Sequence, residues 1–134
     1  MESDLREAAT PCKPGRKGLA RLVAATGYSW SGFQQAWQQE AAFREELLLL
    51  VFLVPAAFWL GQTAVETAIL LMSCLVVLIT ELLNSAVEAV VDLASPGIHP
   101  LAARAKDIAS AAVFVALIQV LVVWGMIGCA RFYH

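Results

Sequence analysis

Polar and apolar residues along this chain sort into successive stretches, most of them with helical spacing. Residues 1–18 are polar, carry Pro11, Pro14, Gly15 and Gly18, and read as a mobile tail. From Leu19 the pattern becomes helical. After the turn-like Thr26-Gly27-Tyr28-Ser29, the residues Trp30, Phe33, Trp37 and Ala41 recur at spacings of three and four, while Gln34, Gln35, Gln38 and Gln39 take the other face. A helix over about 29–40 with rings along one side and amides along the other suits a lipid–water interface.

Three apolar stretches follow. Leu47 to Leu60 has only 14 residues, and it reaches spanning length if its helix begins near Ala41, giving a span of about 41–61 kinked at Pro55. The second begins near Ala64, stays apolar to Thr80 and continues with charges to Asp92, a span of about 64–92 that Ser95-Pro96-Gly97 ends. The third, Ile108 to Ala130, has 23 residues without a formal charge and defines a span of about 107–130. The pattern predicts an all-α membrane protein, residues 19–134, with three transmembrane helices and an N-terminal amphipathic surface helix.

Composition agrees with a bilayer. Of the 134 residues 60% are hydrophobic and 15% charged, against roughly 45–50% and about 25% in soluble chains. A net charge of -2 gives no basic field for nucleic acid. Cys12, Cys74 and Cys129 stand far apart, with no spacing for zinc or for a disulfide framework. The first apolar run begins too late for a secretory signal peptide, so insertion is expected to use the spanning segments themselves. Arg6, Lys13, Arg16, Lys17, Arg21 and Arg44 precede the first span, and the link at Gly61-Gln62-Thr63 has no lysine or arginine. Arg104 and Lys106 lie in the next link. The amino terminus is therefore expected in the cytoplasm and the carboxyl terminus outside.

The most informative residues are Glu81, Asn84, Ser85, Glu88 and Asp92. Their offsets of 0, 3, 4, 7 and 11 put them in a stripe roughly 100° wide on one helix face, with Leu82, Leu83, Val87, Val90 and Val91 around the rest. Acids on an otherwise apolar membrane helix are costly and need a partner or a task. Counting from Ala64 across a ~30 Å core puts the inner boundary near Asn84, with Glu81 about 4.5 Å beneath it and Glu88 about 6 Å above. Ser110 on the third span stands near the depth of Glu81, and Glu40 near the height of Glu88. A deep carboxylate thus sits where a lipid hydroxyl lies, and shallower ones sit where a nucleotide can bring Mg2+. Mg2+ takes oxygen ligands, which Glu40 and Glu88 can supply. Glu81 is the candidate base, and Arg21, Arg104 and Lys106 are candidate phosphate partners. No G-x-x-x-x-G-K-[ST] loop and no Gly-rich kinase loop is present.

The run from Glu81 to Asp92 closely resembles the E-x-x-N-[ST]-A-[IV]-E-x-x-[IV]-D block of the prokaryotic diacylglycerol kinase family. Glu40-Ala41-Ala42-Phe43-Arg44, Gly27-Tyr28-Ser29-Trp30, and His99 through Arg104-Ala105-Lys106-Asp107 extend the resemblance over about residues 19–126. The resemblance implies a homotrimer with active sites shared between neighbours. It implies Glu81 as catalytic base, and Glu40 and Glu88 as carboxylates that bind Mg2+ with ATP. Arg21, Tyr28, His99, Lys106 and Asp107 would line the nucleotide site, with Gly97 and Ile98 as backbone contacts. Asn84 and Asp92 would support the site. Arg21, Trp30, Ala42, Phe43, Arg44, Glu46, Ser110 and Trp124 would border the lipid groove together with Glu81. Gly97-Ile98 stands where many relatives have Glu-Tyr, and Ala24 where some have lysine.

The expected activity is ATP-dependent phosphorylation of diacylglycerol to phosphatidic acid in a bacterial inner membrane. Undecaprenol is the alternative lipid. A proton-coupled transporter with Glu81 as its proton site, or a non-catalytic scaffold, are the readings from other classes; neither explains the cytoplasmic set Glu40, Glu88, His99, Lys106 and Asp107.

Overall fold

The computed structural model describes residues 18–133, and among them every regular element is a helix. Residues 1–17 of the expected tail, Cys12 included, lie outside the described residues. The helices are α1 (Leu19–Gln39), α2 (Ala41–Leu60), α3 (Ala64–Ala94) and α4 (Pro100–Tyr133). The chain divides into two compact units, Met1–Gln34 and Gln35–His134.

In the first unit, Gly18 takes a positive φ of 64° and its carbonyl accepts from the Arg21 N–H at 3.1 Å, starting α1. The expected turn at Thr26–Ser29 is absent, and the helix runs on from Leu19. The Thr26 hydroxyl donates to the Val23 carbonyl at 2.7 Å and the Ser29 hydroxyl to Ala25 at 3.0 Å. Hydroxyls folded onto their own helix no longer compete with it for backbone groups.

In the second unit, Glu40 is extended (φ -106°, ψ 112°) and separates α1 from α2. The Arg44 guanidinium turns back across this corner and donates to the carbonyls of Trp37 at 2.8 Å and Gln38 at 3.3 Å. Helix α2 continues through Pro55. A Thr63–Glu66 capping box opens α3, with the Glu66 N–H donating to the Thr63 hydroxyl at 3.1 Å. Pro100 stands at the first position of α4, where its missing N–H costs nothing. The Leu101 N–H there donates to Nδ1 of His99 at 3.2 Å.

Helix α3 is central: α4 packs along it and α2 against it, with a lighter contact between α2 and α4. Its buried residues Leu70, Ser73, Cys74, Val77 and Glu81 form one helical stripe. Large apolar side chains on the opposite faces, among them Leu83, Val90, Phe114 and Leu121, are exposed. This inverted polarity, carboxylate in and hydrocarbon out, belongs to a bilayer. Helices α3 and α4 are long and apolar enough to cross a membrane. Helix α2 has 20 residues with Arg44, Glu45 and Glu46 in its first two turns, and the uncharged remainder covers about 21 Å at 1.5 Å per residue. Length and composition therefore qualify two helices where three spans are expected.

Candidate active site

The α3 stripe ends on Glu81, which is 6% exposed. Burial there follows from the pattern: with Leu82 and Leu83 on the outer faces, the only place for the carboxylate is towards the other helices. Three further acids gather around it. Glu40 and Glu88 both act on Glu81 through their charge, and Glu81 and Glu46 act on one another in the same way. Glu40 comes from the α1–α2 corner, where its side chain makes no capping hydrogen bond. Glu46 comes from the second turn of α2 and Glu88 from α3, two turns beyond Glu81.

The supporting contacts are specific. The Asn84 amide donates to Oε1 of Glu88 at 3.1 Å, and the Ser85 hydroxyl donates to the Glu81 carbonyl at 3.0 Å. Oδ1 of Asn84 and Oε2 of Glu46 are buried without a hydrogen-bond partner. Lys106 lies before the uncharged part of α4 and donates to Oδ1 of Asp92 at 2.6 Å. That hydrogen bond, with the charges of Asp92 and Glu88, outweighs desolvation and raises Lys106 above the usual lysine value. A cavity of about 330 Å³ opens beside the α3–α4 loop, among Val91, Ser95, His99, Ala102 and Ala105.

Among the described residues no three His, Cys, Asp or Glu side chains form a metal-binding group. Mg2+ usually asks for one or two protein carboxylates and completes its shell with water and phosphate. Glu40 and Glu88, which both act on Glu81 through their charge, supply carboxylates of the type that demand names.

Comparison with known proteins decides the family. The family model for prokaryotic diacylglycerol kinase matches residues 27–128. A diacylglycerol kinase of Pseudomonas aeruginosa is 51% identical over 113 residues, 84% of this chain and 92% of that protein. One from Escherichia coli K12 is 45% identical over 107 residues, covering 80% and 88%, and one from Haemophilus influenzae is 47% identical over 108, covering 81% and 92%. The chain belongs to the prokaryotic diacylglycerol kinase family.

The family match contains Glu40, Glu46, Glu81, Asn84, Glu88, Asp92, His99, Lys106 and Asp107, and it begins after Arg21. The expected site residues fare differently within this diacylglycerol kinase fold. Glu40, Glu46, Glu81, Asn84 and Glu88 are brought together. Gly97, Ile98, Asp107 and Ser110 are exposed, Ile98 fully. Ala42 is exposed, whereas Phe43 is 1% exposed and belongs to the core. Arg44 is engaged with the α1 carbonyls, and His99 with the start of α4. Trp124 packs on the Ala57-Leu60-Leu70 cluster, level with Leu70 and so about 16 Å along α3 from Glu81. Its Nε1 is buried without a partner. Arg21, Tyr28 and Trp30 are exposed residues of the first unit.

Sequence reasoning missed the pairing of Lys106 with Asp92 and the mutual field of Glu46 and Glu81. Opposite charges either side of the Ser95-Pro96-Gly97 break were the available signal for the first. Glu46, three residues after Phe43 on the inward side of α2, carried the second.

Proposed function

We propose that this chain phosphorylates diacylglycerol at the cytoplasmic face of a bacterial inner membrane, using ATP and Mg2+ and producing phosphatidic acid and ADP. One observation carries the reading: Glu81 is an inward carboxylate at the end of an apolar helical stripe, set among the charges of Glu40, Glu46 and Glu88. The family membership supports the same lipid.

In this mechanism Glu81 takes the proton of the lipid hydroxyl as its oxygen attacks the γ-phosphorus. The bond from the γ-phosphorus to the bridging oxygen breaks, and ADP leaves with that electron pair. Glu40 and Glu88 would hold Mg2+, which would supply charge neutralisation for the phosphate oxygens. Asn84 fixes the Glu88 carboxylate by its 3.1 Å hydrogen bond. Lys106, at 2.6 Å from Asp92, turns its ammonium to the phosphates, and Asp107 lines the nucleotide site beside it. The cavity of about 330 Å³ lined by Val91, Ser95, His99 and Ala102 is a natural seat for the nucleotide base.

The membrane arrangement is part of the proposal. Helix α2 forms a third span, its Arg44, Glu45 and Glu46 at the inner boundary, with the amino terminus cytoplasmic and the carboxyl terminus outside. The assembly is a homotrimer with shared sites, in keeping with the exposed apolar faces of α3 and α4 and with the resemblance. Arg44 serves the lipid groove by holding the corner beside Glu40, with Ala42 and Ser110 at its border.

The test is direct. Purified protein in vesicles receives labelled ATP, Mg2+ and either diacylglycerol or undecaprenol. Labelled phosphatidic acid is expected. Transfer to undecaprenol alone would move the reading to that lipid, and no transfer to either would end it.

A further inference from the structure

At the end of the helices away from Glu81, a cavity of about 300 Å³ opens where α2 ends, α3 begins and α4 ends. Leu60, Gln62, Glu66, Ile127, Ala130 and Arg131 line it. Its volume is at the lower end of what small-molecule sites offer, about 300–1,000 Å³. Glu66 stands about 22 Å along α3 from Glu81 at 1.5 Å per residue. The cavity therefore shares no residue with the site described above.

Two opposite charges line this space without meeting. Oε2 of Glu66 accepts from the N–H groups of Gln62 at 2.7 Å and Thr63 at 3.2 Å, which fixes the carboxylate in place. Its Oε1 has no donor among the described residues. Arg131 makes no hydrogen bond or ion pair among the described residues. An anion and a cation held apart on the walls of one cavity match a ligand that carries both charges.

The surroundings set the source of that ligand. Leu60 and Ile127 give the cavity an apolar wall. Trp59 and Phe132, the chain neighbours of Leu60 and Arg131, lie with ring centroids 6.0 Å apart and are 62% and 67% exposed. Exposed rings beside charged residues at the end of apolar helices mark the headgroup layer of a bilayer. A phospholipid presents a charged head and apolar chains at that depth.

We propose that this cavity holds the headgroup of a zwitterionic phospholipid with a primary amine, in the leaflet opposite the candidate active site. The Arg131 guanidinium donates to the phosphate oxygens, and the ammonium donates to Oε1 of Glu66. The primary amine matters, because a trimethylammonium head has no N–H for that oxygen. An anionic head without an amine would meet Arg131 but also the charge of Glu66. Bound there, the headgroup ties the start of α3 to the end of α4.

Native mass spectrometry of the full chain in detergent tests this. Phosphatidylethanolamine, phosphatidylcholine and phosphatidylglycerol are added in turn, with soluble phosphoethanolamine as a further arm. The wild type should hold phosphatidylethanolamine about tenfold more tightly than either other lipid, and the soluble compound more weakly than the lipid. Arg131→Gln should lower the affinity for phosphatidylethanolamine about tenfold. Glu66→Gln should lower it as much and abolish the preference over phosphatidylglycerol, while glutamine at this position still completes the capping box. Tenfold, about 1.4 kcal/mol, is near the low end of what a hydrogen bond to a charged group is worth. Equal affinity of the wild type for the three lipids, or both variants within twofold of it for phosphatidylethanolamine, would overturn the proposal. Soluble phosphoethanolamine bound as tightly as the lipid would overturn the membrane source. The readout is binding, so either result stands apart from the kinase reading.

Discussion

Replacing Glu81 by glutamine separates catalysis from folding, because the two should move in opposite directions. The substitution keeps the size of a side chain that is 6% exposed, so no cavity is made. It removes the group proposed to accept the lipid proton, and a positioned general base contributes about 10²–10⁴ to rate. It also removes a charge that Glu40, Glu46 and Glu88 repel. Two carboxylates about 8–10 Å apart at an effective dielectric near 20 repel by roughly 2 kcal/mol, so relieving even one such pair is worth a rise of a few degrees in melting temperature. The amide can in addition donate to a neighbouring carboxylate, which Glu81 cannot do when ionised. The assay is initial-rate phosphorylation of diacylglycerol beside thermal unfolding in the same detergent. The expected result is a kcat lower by two to four orders of magnitude in a protein at least as stable as the wild type. A kcat within threefold of wild type would refute Glu81 as the base. A melting temperature several degrees lower would refute the argument from like charges.

Three other substitutions probe the surroundings. Lys106→Met should raise the KM for ATP about tenfold and leave the KM for lipid unchanged, whereas stability should barely move, since the Asp92 pair is exposed and such pairs contribute about 0–1 kcal/mol; equal changes in both KM values would argue against a phosphate role. Asn84→Leu strips Glu88 of its donor at 3.1 Å, and the titration of rate against Mg2+ should shift about tenfold to higher concentration, as expected for about 1–3 kcal/mol of lost satisfaction. Gly61→Ala should destabilise the chain by about 1–3 kcal/mol with ATP and lipid KM unchanged, because a Cβ at that corner would stand 2.8 Å from the backbone nitrogen of Thr67; unfolding curves that overlay the wild type would contradict this.

The stripe on α3 was legible because a 3.6-residue period leaves Glu81, Asn84, Ser85 and Glu88 one shared face, and acids in an apolar helix can face only inward. The family was legible for the same reason, since its block is that stripe. Helix breaks read less well. Thr26-Gly27-Tyr28-Ser29 has the composition of a turn, yet two side-chain hydroxyls returned to helix carbonyls leave it helical. Contacts across helices could not be read at all from spacing. The 2.6 Å approach of Lys106 to Asp92 depends on how the Ser95-Pro96-Gly97 link sets the register of α4 on α3. The hold of Arg44 on Trp37 and Gln38 depends on the extended backbone at Glu40. Spacing likewise did not show that Trp124, expected at the border of the lipid groove, packs on Ala57, Leu60 and Leu70.

The absence of a phosphate loop from the sequence gives these acids their meaning. A P-loop enzyme gathers phosphates with backbone N–H groups and a lysine, and adds the metal to a site that is already positive. Here the elements converge with carboxylates: Glu40, Glu46 and Glu88 each interact with Glu81 through their charge. On their own they repel ATP. In the proposed mechanism a divalent cation would offset that repulsion, held by Glu40 and Glu88. Lys106, paired with Asp92 in the structure, would turn to the phosphates. Glu81, the buried acid of the stripe, would then be the one nearest a lipid hydroxyl. On the proposed reading, depth in the bilayer is what divides identical side chains into metal ligands and base, a division that soluble kinases achieve with separate loops.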